Sequence, residues 1–290
     1  MSSAAVRRQE GEKVSCEKRI LPCLPSLRQA AVPFLLFRST AGMAPSCRDN
    51  GMRQSPCFPL LYSPMFSNVK AVFFDVGNTL LFPNRERIHA PLAERGFLPD
   101  AEHLRDLERR TKNQFDSMMT TNGSTDHSFW WMFYSQLLSE IELHEDAVRE
   151  QLVASIRDSA NWDQIRPGTA EQLRAIGQTY RIAVISNADG HIQDVLRRCG
   201  IADCFGTITD SGLVGYEKPR PEIFHQAMAS MHAAPQESLY VGDVYSVDYV
   251  GATGAGMQAV LMDVPGAYRD KGLPRVEDLQ QLQSFLGVQP

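Results

Sequence analysis

The sequence predicts an α/β protein, a doubly wound, parallel, Rossmann-like sheet with an inserted α-helical cap. Three observations carry this. Short, wholly apolar runs recur along the chain. Amphipathic helical stripes lie between them. The first run is separated from the next by about 100 residues, too many for one crossover helix.

The runs come first. Ala71 to Phe74, Ile182 to Ile185, Ser238 to Val241 and Ala259 to Met262 do not alternate with polar residues. That is the pattern of parallel strands covered on both faces. Gly206 to Ile208 reads as a shorter strand. Among the helical stripes, Leu173, Ile176, Gly177 and Tyr180 share a face after Pro167-Gly168. Ile192, Val195, Leu196 and Cys199 form a second stripe, and Ile223, Phe224, Ala227, Met228 and Met231 a third. Residues 86–160 read as helical throughout, on stripes Leu104, Leu107, Thr111, Phe115, Met118, then Trp130, Phe133, Leu137, Leu138, Ile141, then Val148, Leu152, Ile156. Phe129, Trp131 and Met132 fall off the middle stripe. They are candidates for a substrate wall, a contact between copies, or packing on the sheet domain.

The division that follows is a leader over 1–64, an α/β core over 65–85 and 161–290, and a helical cap over 86–160. The leader carries nine Arg and Lys against four acids, so the remainder holds about ten net negative charges against −5 for the whole chain. It sustains no period. It reads as an extension without fixed structure, as a targeting peptide poorly served by Glu10, Glu12 and Glu17, or as residues preceding a true start at Met65. The net negative charge argues against nucleic acid as a partner. No apolar run reaches the ~18–20 residues that span a membrane. Four of the six cysteines precede residue 60, leaving Cys199 and Cys204 in the globular part, which is no disulfide framework and points to the cytoplasm.

In a doubly wound sheet, ligands bind beyond the carboxyl ends of the strands. Asp75 follows the first run, in Asp75-Val76-Gly77-Asn78-Thr79-Leu80. Ser186-Asn187 follows the second, and Gly242-Asp243, with Asp248 five residues on, follows the strand at 238–241. Lys218-Pro219 stands just before a helix. Each alone reads as a turn, a cap or a surface charge. Together, at successive strand ends, they do not.

This set resembles the haloacid dehalogenase superfamily, in the branch whose helical cap is inserted after the first strand, over about Lys70 to Asp263. The resemblance implies a hydrolase in which Asp75 is the nucleophile and forms a covalent intermediate that water hydrolyses. It implies a Mg²⁺ ion held by Asp75, the Gly77 carbonyl and Asp243, with Asp248 behind them. It implies that Ser186 and Asn187 bind the phosphoryl oxygens, and that Lys218 neutralises nucleophile and substrate together. The expected substrate is a small phosphorylated metabolite.

Gly77 departs from the pattern. Phosphatases of this superfamily carry a second aspartate there, which protonates the leaving oxygen. General acid–base assistance of that kind is worth ~10²–10⁴-fold in rate. Its lack keeps open a 2-haloacid dehalogenase, a phosphonatase-like hydrolase, an acid supplied by the cap, or a fold that binds without turnover. Were Gly77 at positive φ, a side chain there would cost roughly 1 kcal/mol or more. Arg85, Arg87 and His89 follow the first motif closely and are candidates to reach the site from the cap. The alternative is that they are solvated helix residues.

Since the leader shows no core-forming pattern, a chain beginning at Met65 is expected to melt at the temperature of the full chain. A large loss of thermal stability on removing residues 1–64, followed by calorimetry, would contradict that.

Overall fold

The computed structural model describes residues 66, 68–122 and 128–289, so the leader expectations lie outside the described residues. In chain order the elements are β1 (Ala71–Phe74), β2 (Leu81–Phe82), α1 (Arg85–Ile88), α2 (Ala90–Ala93), α3 (Ala101–Asn122), α4 (Ser128–Glu140), α5 (Asp146–Arg157) and β3 (Gln164–Ile165). There follow α6 (Thr169–Thr179), β4 (Arg181–Ser186), α7 (Ile192–Arg198), β5 (Thr207–Asp210), α8 (Ser211–Val214) and α9 (Pro221–Ser230). The chain continues with β6 (Ser238–Gly242), α10 (Val250–Gly254), β7 (Gln258–Met262), β8 (Arg275–Val276) and α11 (Leu279–Leu286).

Six strands form one parallel sheet in the order β5-β4-β1-β6-β7-β8. β1 lies inside it, which is why its four residues are all apolar and fully buried. Alternate side chains serve opposite faces. Val72 and Phe74 join Leu173, Leu196 and Leu282 on one side, while Ala71 and Phe73 join Ile223, Phe224 and Ala252 on the other. Register then decides what emerges at the sheet's carboxyl edge. Phe74 lies level with Val184 of β4 and Val241 of β6, so Asp75, Ser186 and Asp243 leave the sheet side by side. The Asp75 amide still donates to the Val241 carbonyl, at 2.8 Å, which fixes the first residue beyond the strand.

The five helices α1 to α5 are inserted between β2 and β3 and enclose a core of their own, with Ile88, Leu107, Phe133, Leu137, Leu152 and Ile156 all buried. The two chain crossings at the base are tied together. β2 and β3 pair antiparallel, Leu81 to Ile165 and Phe82 to Gln164. The Arg87 guanidinium donates to the Ala160 carbonyl at 2.9 Å and to Asp163 Oδ2 at 2.6 Å.

Two features differ from the sequence reading. Met118, placed on the first cap stripe, is exposed, and Met119 faces inward instead. The helix continues the stripe from Phe115 by four residues, not three. Strands β2, β3 and β8 are two residues each, too short for any period to register. After Asp243 the chain makes a wide turn of π-helix over Tyr245–Tyr249. Among the described residues no helix is long and apolar enough to cross a membrane.

Candidate active site

Asp75, Asp243 and Asp248 meet beyond the sheet edge, all buried, each with a carboxylate oxygen within 4.8 Å of the others'. Glycine makes this approach possible. A Cβ built on Gly242 would stand 2.5 Å from Asp248 Cγ, so no side chain fits at the residue before Asp243. The π turn then brings Asp248 back under its own loop. Its Oδ2 accepts from the amides of Asp243 at 3.0 Å and Val244 at 2.8 Å.

Two buried lysines answer the three acids. Lys218 Nζ donates to Asp75 Oδ1 at 2.7 Å, to Asp248 Oδ1 at 2.7 Å and to the Tyr240 hydroxyl at 2.8 Å. The second is Lys112, on α3 of the cap and fully buried. It donates to Asp243 Oδ2 at 2.7 Å and lies 3.1 Å from Glu108. The sequence reading missed Lys112. Glu108, Lys112 and Asp116 recur at every fourth residue beside the apolar stripe and read as a solvated face. Only the docking of α3 shows otherwise: Asp116 Oδ1 accepts from the Ser246 amide at 3.0 Å, on the same loop that carries Asp248.

The balance of these charges sets each proton affinity. Burial pushes the Asp75 carboxyl up to about 7; Lys218 opposes this, and Asp248 and Asp243 add to it. Burial also raises Asp243, against the pull of Lys112. For both lysines burial favours the neutral form, but the acids outweigh it. Lys218 is raised by Asp248 and Asp75, and Lys112 is raised well above its ordinary value by Asp243 and Glu108. Both lysines are therefore cations at neutral pH. Among the described residues, Asp75 Oδ2 and Asp243 Oδ1 take no hydrogen bond, while both oxygens of Asp248 do. Three carboxylates converging on one point form a hard, oxygen-rich donor set that suits a divalent cation such as Mg²⁺. Asp75 and Asp243 have an oxygen available for one, and Asp248 is committed to its loop.

The remaining expected residues fall in the same place. Asp75, Gly77, Ser186, Asn187, Lys218, Asp243 and Asp248 all line one cavity of about 460 Å³. Asn187 has a further duty. Its Oδ1 accepts from the Lys218 amide at 2.7 Å and its Nδ2 donates to the Lys218 carbonyl at 3.0 Å, so its side chain holds the lysine loop. From the cap side, Phe115, Met119, Phe129, Trp130 and Ile156 complete the wall. Phe129 was a candidate for that role; Trp130, expected in the cap core, shares it. Trp131 instead turns outward, with the Arg149 guanidinium 4.2 Å above its ring.

Gly77 has no positive φ. The obstacle to a side chain there is Trp162, whose ring would lie 3.2 Å from an added Cβ. Trp162 is held by its indole N–H, which donates to the Ile156 carbonyl at 2.7 Å, and by Trp130, with ring centres 5.7 Å apart. The three cap candidates do not line the cavity. Arg87 straps the base of the insertion, Arg85 lies 4.0 Å from Glu108, and His89 is buried edge-on to Tyr134.

The sequence pattern of the family described as haloacid dehalogenase-like hydrolase matches residues 69–256. The chain belongs to that family. Haloacid dehalogenase-like hydrolase domain-containing protein 3 of Bos taurus is 27% identical over 236 residues, covering 75% of this chain and 90% of its own. A glyceraldehyde 3-phosphate phosphatase of Methanothermobacter thermautotrophicus is 38% identical over 116 residues, which are 37% of this chain and 51% of the archaeal one. Among solved structures, a magnesium-bound HAD hydrolase of Bacillus subtilis shares the fold with a TM-score of 0.56 and 20% identity, covering 76% of this chain and all of its own.

His89 supplies a test of the cap packing. Burial, then the nearby Arg85 charge, lower its pKa from 6.5 to about 4. Between those values the unfolded chain takes up a proton that the folded one refuses. The stability His89 contributes is therefore present above pH ~6.5 and lost as pH falls towards 4, a change of ~3 kcal/mol. His89→Gln is expected to show a smaller acid loss of unfolding free energy by about that amount in urea titrations at pH 7 and pH 4. An identical pH dependence in the two proteins would place His89 in solvent.

Proposed function

We propose that this hydrolase is a Mg²⁺-dependent phosphatase of small phosphorylated molecules, acting through an aspartyl-phosphate on Asp75. The observation that carries the reading is the convergence of Asp75, Asp243 and Asp248 at the sheet edge with Lys218 against two of them. Residues 65–85 and 161–290 would serve as the catalytic core and 86–160 as its cap. The phosphatase names borne by relatives such as the archaeal enzyme support the reaction class.

Asp75, the Gly77 carbonyl and Asp243 would hold the ion, with Asp248 bracing the loop behind them. Bound there, the ion would supply positive charge between an anionic nucleophile and an anionic substrate. The residues do the rest. Asp75 attacks phosphorus as the leaving oxygen departs, and water then cleaves the acyl phosphate and regenerates the carboxylate. Ser186 and the Asn187 backbone bind phosphoryl oxygens. Lys218, pinned by Asn187, Tyr240 and Asp248, offers fixed positive charge at the reacting centre, where the surrounding medium screens little.

A 2-haloacid dehalogenase is the second reading. The observation favouring it is Trp162 in the space beside Gly77, since halide leaves without a proton.

Asp75→Asn is expected to lose turnover of p-nitrophenyl phosphate to background while keeping the native fold by circular dichroism. EDTA is expected to stop the native protein and excess Mg²⁺ to restore it. Undiminished activity of Asp75→Asn would overturn the nucleophile. Release of halide from a 2-haloacid, unaffected by EDTA, would favour the dehalogenase.

A further inference from the structure

The cavity has two chemically distinct ends. Its floor is Asp75, Ser186, Lys218 and the acidic loop, all from the sheet edge. Its roof is apolar and largely aromatic: Phe115, Met119, Phe129, Trp130 and Ile156 from α3, α4 and α5, and Trp162 from the strap. The roof rings interlock. Phe129 stands edge-on to Phe115 with centres 5.7 Å apart and to Trp130 at 4.9 Å. Trp130 meets Trp162 in turn.

A phosphoryl group on Asp75 has its leaving group pointing away from the nucleophile, as in-line displacement requires, and hence towards the roof. Two demands on that leaving group follow. It must be apolar, because the roof offers contact area and little hydrogen bonding; the one charged cap residue at the cavity, Arg157, is exposed. It must also depart without a proton from the protein, because among the described residues the cap presents no carboxylate or imidazole to the cavity. On the near side two carboxylates beyond the acidic cluster line the cavity, Asp189 and a half-buried Glu217 on the floor loop before Lys218. Gly77 is bare and walled by Trp162, and Asp189 is held ionised: burial would raise it, but hydrogen bonds from Ser159 and His191 lower it overall. An alkoxide is too basic to leave unaided, whereas a phenolate, with a conjugate acid near pKa 10, is not.

We propose that the substrates of this site are small aryl phosphate monoesters, with the aromatic leaving group seated against the roof formed by Phe129, Trp130 and Trp162. The inference rests on the phosphatase reading above. In the step, a bond forms between an Asp75 oxygen and phosphorus while the phosphorus–aryl oxygen bond breaks. The electron pair leaves with the aryloxide, which is protonated by solvent. Water then attacks phosphorus and releases inorganic phosphate, so the net reaction is ester plus water to phenol plus phosphate. A cavity of about 460 Å³ suits a ligand of one or two rings.

The test compares kcat/KM on the native full-length protein for phenyl, 1-naphthyl and cyclohexyl phosphate, with phosphoserine and a phosphotyrosine peptide as further arms. Phenyl and naphthyl phosphate are expected to exceed cyclohexyl phosphate, which matches phenyl in size but not in leaving-group basicity, by ~10²-fold or more. They are also expected to exceed phosphoserine and the phosphotyrosine peptide. Trp162→Ala is expected to raise KM for the naphthyl ester several-fold and to leave cyclohexyl turnover low. Trp162→Ala combined with Gly77→Asp has room for the carboxyl and is expected to raise cyclohexyl turnover and shrink the aryl preference. Native rates on phenyl and cyclohexyl phosphate within about threefold would overturn the inference, as would a preference for phosphoserine or the peptide. These comparisons need no variant to fold. Asp75-dependent hydrolysis without aryl preference would remove this inference and leave the phosphatase reading standing. Failure to hydrolyse any phosphate ester would remove both.

Discussion

Three carboxylates whose oxygens approach within 4.8 Å cannot stay charged in a dry site without cations among them. The chain meets this constraint with two lysines drawn from distant parts of the sequence. Lys218 arrives on a loop clamped by Asn187, and Lys112 arrives on a cap helix. Breaking a buried ion pair by removing one partner typically costs ~3–5 kcal/mol. Each lysine therefore does more than neutralise: it fixes the position of the element that brings it. Sheet register, the bare Gly242 and the π turn over Tyr245–Tyr249 can all be understood as ways of packing this cluster.

The same cluster joins the cap to the core. Lys112 grips Asp243 while Asp116, one turn further along α3, accepts from Ser246. On the other flank, Asp189 Oδ2 accepts from the Ser159 amide, tying the loop after β4 to the return of the insertion. Trp162 sits at that return and closes over Gly77. Position of the cap and identity of the site wall are thus one structural fact. A cap helix that supplied the cation for Asp243 also brings Phe115 and Met119 over the nucleophile.

Much of this was legible beforehand, for definable reasons. Strands such as Ala71–Phe74 announce themselves because a buried parallel strand has no polar face to offer. The motif residues follow, since strand ends are where such a sheet places its chemistry. Asp75, Ser186, Asn187, Lys218, Asp243 and Asp248 do share one cavity. What stayed hidden depends on tertiary placement. Lys112 lies on a helix face that looks solvated until α3 docks. Trp162 follows the last cap stripe with no periodicity to mark it, and its meaning comes only from Gly77, far away in sequence. Arg87 and His89, close to the motif in sequence, turn to the strap and the cap core instead. Sequence proximity misled there because the helix directs its side chains by rotation, not by distance along the chain.

The claim at the centre is that Asp75 attacks phosphorus and carries it covalently. Acid-quenching the protein during steady-state turnover of an aryl phosphate, reducing it with borohydride and mapping the peptides by mass spectrometry tests this most directly. Homoserine is expected in place of aspartate at residue 75 alone, with none formed when substrate is omitted. Modification at another carboxylate, or an unmodified Asp75 under active turnover with a fast-quench control that traps a known aspartyl-phosphate, would contradict it.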